Sequence, residues 1–168
     1  MNSSYDVYII QTIFVCEKIY EYYIFIVMNV LILILLFINT VTSANIYNYY
    51  ELAVQKWCSD KYMIHGLWPQ INAIDYPENC EDVTYTKPTG QLLDNMNIYW
   101  QSCDDTLWQH EWEKHGSCMH EQIGIDETTF FNTTITLFLE NINLLNDCKE
   151  DDCILACFDM DYRMITCK

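Results

Sequence analysis

Positive charge is what this chain has least of. Eight Lys and Arg stand against 24 Asp and Glu, a formal charge of −16. That balance excludes a broad basic surface for a polyanion, whose phosphates would have to be held by a few local cations. As a global feature the acidity serves solubility. The spacing C-x2-C is absent throughout, so the nine cysteines do not read as a metal site. Internal repeats and low-complexity linkers are lacking too, and 168 residues are too few for two comfortable domains. With 51% apolar and 15% aromatic residues, the chain is no disordered tail.

Nine cysteines without metal spacing imply an oxidising compartment. Residues 22–38, "YYIFIVMNVLILILLFI", form an apolar run followed by "NTVTSA", where Thr42 and Ala44 satisfy the small-residue rule for signal cleavage. The residues ahead of the run lack the expected positive charge, with Asp6, Glu17 and Glu21 against Lys18. Translation from Met28 would give a compact secretory signal, making residues 1–27 an upstream extension. The alternative is an uncleaved signal anchor, for which 17 apolar residues are short. Cleavage after Ala44 removes Cys16 and leaves eight cysteines, an even number as a full disulfide framework requires. The expected organisation is therefore 1–44 as extension plus signal and 45–168 as one domain.

Within 45–168, "YELAVQKW" (50–57) and "KYMIHGLWPQ" (61–70) read as strands. Residues 71–90 are loop by composition. Leu92, Leu93, Met96 and Trp100 recur at helical spacing over 91–101. A helix over 106–116 stops at Gly116, and another covers 126–143 with Asp126 as N-cap. "CILACFDMDYRMITC" (153–167) reads as a strand pair turned near Asp159–Asp161. This order of elements suggests an α+β fold.

The chain has four histidines, and three of them, His110, His115 and His120, crowd into or just beyond "HEWEKHGSC". On a regular helix His110 and Lys114 lie one turn apart, as do Glu111 and His115, the four spanning roughly 140°. Trp112 points to the core. Zinc binding would want H-E-x-x-H, whereas the spacing here is H-E-x-x-x-H. A solvated charged helix is the bland reading. Cys118 as a nucleophile is disfavoured, because oxidation leaves no thiolate. Acid–base chemistry by histidines poised near neutral pH remains. A strand histidine, His65 in "IHGLWPQ", supplies a second group of that kind.

The two stretches "IHGLWPQ" and "HEWEKHGSC", in that order and with "LAVQKW" ahead of them, resemble the active-site motifs and first core strand of the secreted ribonuclease T2 family. The resemblance covers most of residues 50–118 and fades beyond. It implies a central antiparallel sheet packed against helices and stapled by disulfides. It also implies metal-independent, cofactor-free cleavage of single-stranded RNA, through a 2′,3′-cyclic phosphate to a 3′-phosphate. The family pattern places catalysis on His65, Glu111 and His115, with His115 taken as base and His65 as acid. Substrate binding falls to Trp68, as the aromatic at the base site, to His110, and to Lys114, which faces the charge that builds on the phosphate. Glu111 would either hold His115 and raise its pKa or, if protonated, polarise the phosphate. His120 has no assigned role.

The resemblance pairs Cys80 with Cys118 and Cys157 with Cys167; Cys148 with Cys153 and Cys58 with Cys103 complete the set. Only "CSDKYMI" separates Trp57 from His65, less than the family's usual excursion, and the chain ends earlier than most relatives. "NTT" at Asn132 is a glycosylation acceptor. The expected protein is a secreted or endo-lysosomal or vacuolar monomer without stable membrane association. Asp104, Asp105, Glu111 and Glu113 are expected to keep the imidazoles protonated, with an activity optimum on the acid side at about pH 5. The rival readings are a binding protein of the same fold that lost turnover, a membrane-anchored form, and a metal-binding module.

Overall fold

The computed structural model describes residues 22–30, 45–57, 59–104 and 106–167. Most of the proposed signal segment, its cleavage position at Ala44, Cys58 and Asp105 lie outside the described residues. The chain divides into two compact units, Met1–Ala44 and Asn45–Lys168. In the first, residues 22–30 are helical. Among the described residues no helix is long and apolar enough to cross a membrane.

The second unit is α+β. Strands β1 (Tyr49–Gln55) and β2 (Met63–Gln70) come first, followed by the loop over 71–89 and helix α1 (Gly90–Tyr99). Helix α2 (Leu107–Glu111) runs through a π-helical turn (Trp112–Gly116) into α3 (Ser117–Ile123). Then come α4 (Glu127–Glu140), a 3-10 turn (Ile142–Asp147), β3 (Asp152–Phe158) and β4 (Met164–Ile165). The strands form one antiparallel sheet in the order β2-β1-β3-β4.

The sheet's core face packs Leu52, Val54, Ile64 and Leu67 against Trp100, Phe130 and Phe131, all buried. Each such side chain contributes roughly 2 kcal/mol by leaving water. Asp126 caps α4 as the sequence predicts, its carboxylate accepting from the Thr129 N–H at 2.7 Å. Disulfides join Cys80 to Cys118, Cys148 to Cys153, and Cys157 to Cys167.

Gly116 does not end a helix, contrary to the sequence expectation. It keeps helical dihedrals, and a Cβ there would collide with the Trp112 ring, so its bareness serves packing. The stop comes at Gly124, whose φ of +69° is the left-handed conformation that glycine adopts without penalty.

Candidate active site

His65 occupies a bulge. On β1, Ala53 faces Gly66 and Val54 faces Ile64, so His65 is the extra residue with no partner across the ladder. Bulges re-aim a side chain. The His65 carbonyl accepts from the Trp100 indole N–H at 2.9 Å, and the Trp100 carbonyl in turn accepts from the Trp108 indole at 2.6 Å. Two buried tryptophans thereby fix the backbone that carries the histidine.

The other histidines come from a helix with a defect. The Ser117 N–H bonds to the Trp112 carbonyl, a reach of five residues that defines the π-turn. The π-turn carries Lys114 and His115, and His110 stands in the α-helical turn before it. The same stretch presents the Lys114 carbonyl to the Asn79 N–H at 2.8 Å. Ser117 Oγ accepts from the Cys80 N–H at 3.1 Å, and the Cys80–Cys118 bridge completes the staple. The loop after β2 is thus held against the helix, bringing Tyr76 and Glu78 to the site.

Trp68 organises the centre. Its ring lies edge-on to His65 at 4.9 Å between centroids and tilted against His115 at 5.5 Å. Its indole N–H donates to Glu111 Oε2 at 2.9 Å, while Glu111 Oε1 lies 4.0 Å from His65 Nε2. Gly66 is required by this arrangement, since a Cβ there would overlap both the Glu111 carboxylate and the Trp68 indole nitrogen. Glu111 therefore serves His65 and Trp68, and not His115, the partner that helical spacing offers it.

Burial sets the protonation states. Glu111 is 1% exposed, and the loss of hydration raises its pKa to about 8, with the Trp68 hydrogen bond and Lys114 pulling the other way. His115 is 4% exposed, and desolvation, reinforced by Lys114, His110 and His65, pushes it down to about 3. Its Nδ1 has no hydrogen-bond partner among the described residues. His110 is exposed but also lowered, by desolvation first and then by Lys114 and His65. The expectation that nearby carboxylates keep these imidazoles protonated is thus corrected: Glu111 is itself neutralised by burial, and desolvation outweighs Glu113 and Glu78.

Lys114 is paired with Glu78 at 3.3 Å and sits over the Tyr76 ring at 5.5 Å. His65 Nδ1 meets Asp152 Oδ1 at 3.1 Å. Sequence reasoning missed Tyr76, Glu78 and Asp152; Tyr76 and Glu78 stand in a segment that reads only as loop, and Asp152 in an acidic run near the C-terminus. His120 is turned away from the site, its Nδ1 against the Ile125 carbonyl at 2.8 Å and its Nε2 3.7 Å from Glu81. A cleft of about 860 Å³ opens beside His65 and His110, with Gln55, Lys56, Gln109 and Asp152 among its walls. Among the described residues no group of three or more His, Cys, Asp or Glu converges as metal ligands would.

The family model described as the ribonuclease T2 family matches residues 28–154. The chain belongs to the ribonuclease T2 family. It is 31% identical over 101 residues to Ribonuclease Trv of Hypocrea rufa, covering 48% of this chain and 43% of that one. It is 36% identical over 93 residues to Ribonuclease 1 of Arabidopsis thaliana, covering 49% and 38%. The chain thus spans less than half the length of these curated relatives. A solved neighbour in fold is the self-incompatibility-associated SF11-RNase of Nicotiana alata, with a TM-score of 0.51 at 24% identity over 60% of each chain. Asn132 of the proposed glycosylation signal is exposed on α4.

Proposed function

We propose that this ribonuclease T2 family member is an endoribonuclease that cleaves single-stranded RNA by transphosphorylation, needing neither metal nor cofactor. The observation that carries the reading is the flanking of Trp68 by two histidines of opposite character. One is buried and held neutral, the other is half-exposed on a cleft and bonded to a carboxylate.

A neutral His115 takes the proton from the ribose 2′-OH as that oxygen attacks phosphorus. The P–O5′ bond breaks, and protonated His65 delivers a proton to the departing 5′-oxygen. Water then reverses the roles to open the 2′,3′-cyclic phosphate. Glu111 is protonated below about pH 8 and so can donate a hydrogen bond to a non-bridging oxygen instead of repelling it. Lys114 adds positive charge where the transition state accumulates negative, and His110 offers a ring N–H to the phosphate oxygens. Trp68 and the exposed ring of Tyr76 offer aromatic faces to a base.

The same reading takes 45–168 as the mature domain, monomeric and routed through the secretory pathway, with Cys58 bonded to Cys103 and sugar on Asn132. One of the family's curated relatives is named an extracellular ribonuclease, from Solanum lycopersicum.

The test is cleavage of single-stranded RNA at pH 5 in EDTA, beside His115→Ala. Cyclic-phosphate products from the wild type, with a loss of about 10²- to 10⁴-fold in the variant, support the reading. A folded wild type without activity would return the chain to the rival reading of a binding protein.

A further inference from the structure

We propose that Asp152 is a positioning residue for His65: its carboxylate, delivered by the first residue of β3, holds Nδ1 and keeps Nε2 turned towards Glu111. What Nε2 does there rests on the ribonuclease reading above; the contact that positions it does not.

The His65 ring is constrained on several sides. Its backbone is held through the Trp100 indole, its face lies against Trp68, and Nδ1 meets Asp152 Oδ1 at 3.1 Å. An ionised carboxylate accepts hydrogen bonds and donates none, so Nδ1 carries the hydrogen. The neutral ring then presents a bare Nε2, and the protonated ring an Nε2–H. Both halves of an acid–base cycle put the exchangeable proton on the same atom. Without Asp152 the neutral ring would divide between two tautomers and would turn about its side-chain bond. The titratable groups facing His65 are Asp152 from β3 and Glu111 from α2, with His110 and His115 acting at longer range.

Asp152 is itself placed by local ties. It pairs with Gln55 in the β1–β3 ladder. The Lys56 N–H donates to the Asp151 carbonyl at 2.8 Å, and the Tyr62 hydroxyl to the Glu150 carbonyl at 2.6 Å. The Cys148–Cys153 bridge closes the short turn that leads into it. An acidic run that reads as solvated surface is thereby aimed, with its last carboxylate on a site histidine 87 positions away in sequence. The Asp152 side chain is 63% exposed, so water screens the pair and the effect is moderate.

The experiment uses the full chain and the variants Asp152→Ala, Asp152→Glu and Glu150→Gln, the last removing an equal charge that does not touch His65. Asp152→Ala is expected to lower kcat about tenfold with KM little changed, as loss of an orienting carboxylate does. Asp152→Glu should restore part of that loss, and Glu150→Gln should match wild type. Ring-nitrogen NMR of His65 should show one neutral tautomer, with hydrogen on Nδ1, in the wild type and a mixture in Asp152→Ala. The proposal is overturned if Asp152→Ala keeps the wild-type kcat, if Glu150→Gln falls equally, or if the His65 tautomer is the same in both proteins. Should the wild type cleave no RNA, the ribonuclease reading fails by itself, and the tautomer comparison still decides the role of Asp152.

Discussion

Glu111 and His115 give the native state a pH dependence that can be worked out from their burial. The ordinary carboxyl value of 4.5 is raised to about 8 in Glu111, and the ordinary imidazole value of 6.5 is lowered to about 3 in His115. Between 4.5 and 8 the folded chain keeps a proton on Glu111 that the unfolded chain releases, so stability falls as pH rises. Between 3 and 6.5 the unfolded chain takes a proton that buried His115 refuses, so stability falls as pH drops. The two slopes cancel over the shared window and leave a plateau. Above it only Glu111 acts, and from pH 6.5 to 8 its share is roughly 2 kcal/mol at about 1.4 kcal/mol per unit. Glu111→Gln removes the titration yet keeps an acceptor for the Trp68 indole. In urea unfolding followed by tryptophan fluorescence, at constant ionic strength, the wild type should lose about 2 kcal/mol relative to the variant across that interval. Parallel curves for the two proteins would refute the claim that Glu111 is held protonated by burial.

Other perturbations follow from the same geometry. Gly66→Ala forces a methyl into the Glu111 carboxylate and the Trp68 indole, so it should cost about 1–3 kcal/mol in thermal unfolding and lower kcat/KM for RNA. Glu78→Gln frees Lys114 from its 3.3 Å partner. It should lower KM for RNA, with a gain that shrinks as salt is raised. Removing the Cys80–Cys118 bridge by paired serines opens a loop of 38-residue separation. Denaturant unfolding should report a loss of about 4 kcal/mol.

Much of the architecture follows from local pattern. The two hydrophobic strands, the helical spacing of Leu92, Met96 and Trp100, and the cap at Asp126 depend on a few neighbouring residues. They can be read without knowing what packs against them. The concentration of His110, Lys114 and His115 is likewise a property of one short stretch, and so is its resemblance to a family motif. Its helical geometry is not: the π-turn holds Gly116 under the Trp112 ring and bonds the Lys114 carbonyl to the Asn79 N–H, the latter a contact with a loop far earlier in the chain that no local pattern specifies. The bulge at His65 comes from pairing register, which exists only once β1 has found β2. Asp152 reaches His65 only because β3 docks beside β1, a juxtaposition between distant parts of the chain. Counting carboxylates near the histidines suggests protonated rings, yet His115 is held neutral. Charge is written in the sequence, but the water taken from each charge is decided by the fold: at Glu111 that loss of water outweighs Lys114, and at His115 it acts together with the neighbouring cations.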